Sequence, residues 1–345
     1  MTVALLAPRS VGAAVATQGT ATGAGSARGE FLTLATGARA AGMGEAFTAV
    51  ADDATAVTVN PGGLGQQTSV GAVAMYDVLG PGAAVEFLAA AWPVGPVTAG
   101  LGVAMLQFGS YDLRDATGAK TGTDAVSDLA AIGAVAIANP AVISGWSGCA
   151  VAGAREAAGG MALGVSVGSL IPVGTDLALG VTAARLGPKS GGFGLPAELR
   201  AGAAWRPSGI FRLSGEGGFT LADHQPLVAV GVEIAPVRVA LVRAGYRWIG
   251  RAAPPGLTGL TAGAGVRLGS FGLDYAYQPF GELATTHRIS ILYAGPPAAG
   301  RADNAPAVPP AGTVAGDPEK PAIKQKAKSK ARKKKVAAPS PPAEE

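Results

Sequence analysis

The chain has 345 residues, 48% of them hydrophobic and only 14% charged, with a formal net charge of +4 and a sequence pI near 9.2. Soluble domains carry about 25% charged residues, so this balance points away from an ordinary soluble enzyme. A lone cysteine, Cys149, excludes an internal disulfide framework and any multi-cysteine zinc site, and reads as a small apolar strand residue.

Residues 1–30 form a signal-like or disordered leader. Ala14-Val15-Ala16 offers a cleavage site of the A-x-A kind, although no basic residue precedes the apolar run and Pro8-Arg9 interrupts it. Residues 31–67 follow as a distinct segment, containing the block GARAAGMGEAFTAVADDATAVTVNPGGLG at 37–65. Asp52 or Asp53 is placed to cap a short helix, and Asn60-Pro61-Gly62-Gly63 spells a turn. This segment lacks the alternation of a strand.

From residue 68 to 294 the pattern has period two, with strands expected at 68–77, 83–92, 97–108, 126–138, 148–156, 160–170 and 175–186. Seven more follow, each with an apolar and a charged face. Leu199, Ala201, Ala203 and Trp205 oppose Glu198, Arg200 and Arg206, and Phe211, Leu213 and Phe219 oppose Arg212 and Glu216. Val228, Val230, Val232 and Ile234 oppose Glu233. Val242, Ala244, Tyr246 and Trp248 oppose Arg243 and Arg247. Leu260, Ala262, Ala264, Val266 and Leu268 oppose Arg267; Leu273, Tyr275 and Tyr277 oppose Asp274; Ile289, Ile291 and Tyr293 oppose Arg288.

A soluble sandwich would turn the apolar faces inward, and a membrane barrel would turn them to lipid. Segments of about ten residues are long enough for a tilted strand to cross a bilayer, whereas soluble strands centre on five or six. Trp92, Trp205, Trp248 and Tyr293 at segment ends fit interfacial girdles. The fold class expected is therefore all-β, a transmembrane antiparallel β-barrel of about fourteen strands, the even count of bacterial barrels. Residues 129–154, uncharged and long enough for a helical span, carry Asn139-Pro140 and read as two strands and a turn. The connection at 109–124 is expected outside the cell.

Beyond residue 294 the sequence becomes rich in proline, alanine and lysine without periodicity, which predicts a disordered tail over 295–345. Residues 320–335 hold eight lysines and Arg332, with Glu344 and Glu345 after them, so the high pI belongs to the tail. On the periplasmic side such a run would meet anionic envelope polymers or lipid head groups, and no nucleic acid is expected there.

Catalytic signals are weak. Gly164-Val165-Ser166-Val167-Gly168 fits G-x-S-x-G, but that motif needs a strand-to-helix turn, and only His224 and His287 are available as a base. No cluster has metal-ligand spacing, so neither cofactor nor metal is expected. The candidate lumen-facing charges are Glu198, Arg200, Arg243, Arg247, Arg267 and Asp274. Their arginine excess fits either an anion-selective lumen or a ladder of ion pairs bracing the barrel.

The block at 37–65 resembles the amino-terminal signature of the PorV/PorQ family, relatives of the FadL-type outer-membrane barrels. The matching residues include Gly37, Ala38, Arg39, Ala40, Gly42, Met43, Gly44, Ala46, Phe47, Thr48, Asp52, Asp53, Asn60, Pro61, Gly63 and Leu64, with Gly62 standing where the family commonly has alanine. LRAGAAWRP, VRAGYRW and LDYAYQPFGELATTHRISI continue the likeness toward residue 294, while 109–170 matches less clearly. The resemblance implies a small plug within or beneath the barrel, carried by Arg39, Gly42, Met43, Gly44, Phe47, Asp52, Asp53, Asn60 and Pro61. It implies a bacterial outer-membrane protein that is not an enzyme. Two roles follow from it: passive passage of small, hydrophobic molecules, or an accessory barrel of a secretion machine that binds exported proteins.

Overall fold

The structure is a computed structural model describing residues 30–298, apart from 35, 81, 125–126, 140, 154–160, 189–193, 222–223, 251–258 and 280–284. The leader at 1–29 and the tail at 299–345 lie outside the described residues. The strands are β1 Ser69–Gly80, β2 Ala83–Val94, β3 Val97–Phe108, β4 Tyr111–Arg114, β5 Lys120–Asp124, β6 Ser127–Ile137, β7 Ile143–Gly153 and β8 Met161–Val173. There follow β9 Leu177–Leu186, β10 Glu198–Trp205, β11 Phe211–Thr220, β12 Pro226–Val237, β13 Ala240–Ile249, β14 Leu260–Leu268, β15 Phe271–Pro279 and β16 Thr285–Pro297.

Fourteen of these form one closed antiparallel barrel, in which each strand pairs with its neighbours in the chain and β16 returns to pair with β1. Closure leaves no edge, so every ladder amide and carbonyl finds a partner without water. The remaining two, β4 and β5, pair as a hairpin inside the expected 109–124 connection, which is therefore ordered rather than a plain loop. Connections at one end are short turns, such as 94–97 and 237–240, whereas those at the other end are longer, such as 108–127 and 186–198. The chain enters β1 and leaves β16 at the short-turn end, where the Ala298 amide donates to the Thr68 carbonyl at 2.8 Å.

The outer surface is apolar along most of every strand: Val167, Val181, Leu213, Val230, Val242, Leu273 and Ile291 are all exposed. Aromatic residues band its two ends. Trp146, Trp205, Phe211, Phe271 and Tyr293 lie toward the short turns, while Tyr76, Phe108, Phe219, Tyr246, Trp248, Tyr275 and Tyr277 lie toward the long loops. This band between two girdles is the solvation pattern of a barrel in lipid.

Several strand boundaries differ from the sequence reading by two to five residues. β7 begins at Ile143 rather than 148, because its inward positions there are Gly145 and Ser147, which break the apolar signal. β16 runs to Pro297, past the expected end at 294. Residues 129–154 do form two strands, β6 and β7, joined at 138–142.

Candidate functional site

The segment before β1 lies inside the barrel. Two one-turn helices, α1 Ala38–Gly42 and α2 Ala56–Val59, and a 3-10 turn, Pro61–Gln66, are almost wholly buried against the inner faces of the strands. Local chemistry sets this path. After α1, the Gly44 amide donates to Ala41 O and the Glu45 amide to Ala40 O, a Schellman motif closed by Gly44 at φ +64°. That turn aims Glu45 at Arg247, 2.8 Å away. Asn60 caps the 3-10 turn by accepting from the Gly62 amide at 3.1 Å, and its Nδ2 donates to Thr48 O and Ser169 O.

The wall is shaped to admit this backbone. A β-carbon on Gly168 would stand 2.0 Å from Asn60 Oδ1, and one on Gly62 would stand 2.8 Å from Gly168 O. Glycine at 62, where the resembled family commonly has alanine, is thus required by this close approach.

The expected inner-segment residues are all buried. Arg39 is the hub: its guanidinium donates to Asp52 and, at 2.8 Å and 2.9 Å, to Glu233, and it lies over the Phe47 ring at 5.2 Å from the centroid. Met43 and Phe47 fill an apolar cluster with Ala38, Ala41 and Val50, and Gly42 packs on β14 at Gly263. Asp52 also accepts from Arg212 at 2.9 Å. Asp53 accepts from both the amide and the hydroxyl of Thr55 just before α2, and burial pushes its carboxyl above the usual range, against the pull of Arg39 at 3.6 Å.

The expected lumen charges point inward and are paired. Arg243 bridges Glu233 and Asp274, each at 2.8 Å, and Arg267 adds a bidentate pair to Asp274 at 2.8 Å and 2.9 Å. Arg200 joins Glu198 at 2.8 Å and Glu216 at 3.2 Å.

Other members escape the period-two reading. Arg185 has outward parity, but a register shift between β8 and β9 inserts an extra residue and Arg185 takes φ +57°, so it turns inward to Glu198 at 2.8 Å. Asp77 pairs with Arg288 from the neighbouring strand. Glu45 occupies a variable place in the signature block. Each of these residues has a charge of the opposite sign as its neighbour only once the barrel closes, so no local signal marks them.

The buried ion pairs among the described residues draw on both the wall and the inner segment. The wall contributes Arg185, Arg200, Arg212, Arg243, Arg247, Arg267 and Arg288 against Asp77, Glu198, Glu216, Glu233 and Asp274; the inner segment contributes Arg39 against Glu45, Asp52 and Asp53. Within these pairs, the wall's excess of two positive charges is matched by the segment's excess of two negative ones. The inner segment is the counterion of the barrel, so the arginines form a ladder of ion pairs rather than an open anion path.

The charges are concentrated on one side of the lumen. β10–β16 carry nearly all of them, whereas the inward residues of β1–β3 and β6–β8 include Val73, Met75, Val85, Phe87, Leu106, Ile132 and Val151, packed on Phe31, Leu32, Val57 and Leu64 of the segment. On this half the inward face is mostly apolar or small, apart from Asp77 on β1, Thr98 on β3, Ser147 on β7 and Ser166 on β8. Small spaces of about 30 Å³ and 10 Å³ remain near the long-loop and short-turn ends. The first touches Leu32, Glu45, Arg185 and Arg200; the second touches Val50, Asp176, Arg206 and Arg212.

Ser166 of the G-x-S-x-G match lies within β8, with no strand-to-helix turn, and its Oγ accepts from the Arg185 amide at 3.0 Å. His287 is engaged instead by Tyr275, whose hydroxyl is 2.8 Å from Nδ1.

No protein-family model and no curated protein matches the chain. Among solved structures it is similar in fold to the CymD monoaromatic hydrocarbon channel, with TM-score 0.55 and 14% identity over 75% of this chain and 97% of that one. It is similar also to the Ralstonia pickettii toluene transporter TbuX, with TM-score 0.52 and 14% identity over 75% and 98% of the two chains. A Pseudomonas aeruginosa FadL homologue aligns with TM-score 0.50 and 10% identity over 75% and 98%. The fold is thus a closed β-barrel of the FadL-like kind.

Proposed function

We propose that the protein is a bacterial outer-membrane channel, plugged by its inner segment, for the passive passage of small uncharged apolar molecules. The observation that carries this reading is the two-sided lumen. One half is closed by neutralised ion pairs that leave no net field for an ionic solute, and the other is lined by aliphatic side chains that an apolar solute would wet. The fold shared with hydrocarbon channels supports the same class of solute, and the lipid-matched outer surface supports the location.

On this reading the short turns, and with them the chain's exit from β16, face the periplasm, and the long loops face outward. The basic run at 320–335 would then meet anionic envelope polymers.

The PorV/PorQ-like signature supports a second reading, an accessory barrel that holds exported proteins, and the small interior spaces favour it. The two separate in one experiment. Labelled toluene uptake is measured in Gram-negative cells lacking their own hydrocarbon channels, with and without the protein, and proteins cross-linked to the barrel are identified from the same cells. Raised uptake supports the channel. Unchanged uptake together with cross-links to exported proteins overturns it in favour of the second reading.

A further inference from the structure

The inner segment is held to the two halves of the lumen by different chemistry. Toward β10–β16 it is fixed by charge: Arg39 to Glu233, Asp52 to Arg212 and Glu45 to Arg247, with the Phe47 and Thr48 amides donating to Glu216 at 3.0 Å and 2.9 Å. Removing one partner from such a buried pair strands a charge, so this side resists opening. Toward β3 the segment rests on van der Waals contact, with Val57 and Leu64 seated over Gly100 and Gly102. A β-carbon on Gly100 would stand 2.7 Å from Val57 Cγ1, and one on Gly102 would stand 3.0 Å from Val57 Cγ2. An apolar solute entering that contact replaces one set of dispersion contacts with another and leaves no polar group unpaired.

The long-loop end of this side is closed by apolar side chains. Leu79, Val85, Leu106 and Leu195 surround Phe31 and Leu32 near the long loops, at the head of the aliphatic half.

We infer that an uncharged apolar solute crosses between the inner segment and the β1–β3 and β6 wall, parting Val57 and Leu64 from Gly100 and Gly102, while the ion pairs and the Asn60 hydrogen bond to Ser169 O on β8 hold the rest of the segment in place. The inference rests on the channel reading above and adds the route to it. The solute class that fits is a small aromatic or aliphatic hydrocarbon. A charged solute of equal size is excluded, because the aliphatic wall would strip its water without replacement.

The test joins the two surfaces covalently. Val57→Cys and Gly102→Cys are introduced together with Cys149→Ser, the protein is placed in the cells described above, and uptake of labelled toluene is followed before and after oxidation and after re-reduction. The route predicts that oxidation lowers uptake at least about tenfold and that reductant restores it, the reduced form serving as the control for folding. Full uptake in the oxidised protein overturns the route while leaving the channel reading intact. Absence of uptake in the unaltered protein defeats the channel reading itself, and the route with it.

Should the pair fail to fold or to oxidise, native Cys149 reports instead, since it packs against the same apolar cluster. In the unaltered protein, an uncharged aromatic maleimide should modify Cys149 several-fold faster than a charged thiol reagent, and saturating toluene should slow it. A rate untouched by toluene overturns the route.

Discussion

Arg243 on β13 and Asp274 on β15 meet at 2.8 Å although a whole strand, β14, lies between them. They meet because residue 265 of that strand is glycine: a β-carbon there would stand 2.1 Å from Asp274 Oδ1 and 2.9 Å from Arg243 Nη1. A missing side chain thus lets a buried ion pair span three strands. Gly265→Val should part the pair, leaving Arg243 with Glu233 and Asp274 with Arg267, at a cost of about 1–3 kcal/mol for the bulk forced into a packed site. Urea unfolding in detergent, followed by loss of heat-modifiable mobility on gels, measures it. A loss below 1 kcal/mol would show that the pair does not brace the wall.

Asp52 joins the inner segment to the wall through Arg39 and Arg212. Asp52→Asn removes the charge both guanidinium groups share, and should destabilise by about 3 kcal/mol or more. Combining it with Arg212→Met should cost less than the two single changes added together, because the pair is removed whole. Strict additivity in a double-mutant cycle would contradict the pairing.

Val230 on β12 is exposed and faces outward near the middle of its strand, whereas Leu241 on β13 is buried with inward parity. Val230→Arg should cost about 2–4 kcal/mol in a bilayer and much less in a water-rich detergent surface. Leu241→Arg should be costly in both, since it places an unpaired charge in a packed interior. Equal behaviour of Val230→Arg in the two solvents would remove the lipid face.

How far these features can be read from sequence differs by region. The strands from β10 to β16 are legible because charge alternates with apolar residues: Arg243 against Val242, Asp274 against Leu273. On β1–β3 and β6–β8 the inner face is mostly apolar, as with Phe87 and Ile132, so periodicity locates the strands without telling which face is which. The start of β7 is lost because Gly145 and Ser147 carry no hydrophobic signal. Arg185 is lost because a bulge reverses its side, and bulges depend on the partner strand. The neutral charge balance is invisible until the segment is placed inside, because its acids and the wall's arginines lie more than a hundred residues apart. The inner path of 31–67 follows from family resemblance rather than from its own pattern.

The β4–β5 hairpin offers a local pH effect. Asp115 accepts from the Thr117 hydroxyl at 2.6 Å, from the Thr117 amide at 2.9 Å and from the Ala119 amide at 3.0 Å, and the hydroxyl bond first of all holds its pKa below the usual carboxylate range. A lowered folded pKa means that the contribution is complete above the unfolded value of about 3.9 and is lost as pH falls through the folded one. Amide shifts of Thr117 and Ala119 should therefore titrate together below that value in a detergent-solubilised sample. Asp115→Asn should abolish the transition, and its persistence in that variant would contradict the assignment.

If the inner segment both seals the lumen and balances its charge, ion conductance in planar bilayers reads out both properties at once. The intact protein should give no sustained ionic current. A chain lacking residues 31–66, which removes the acids that pair with Arg212 and Arg247 on the wall, should give discrete openings with a preference for chloride over potassium that weakens in high salt. Steady ionic current through the intact protein, or a cation preference in the shortened one, would contradict the account.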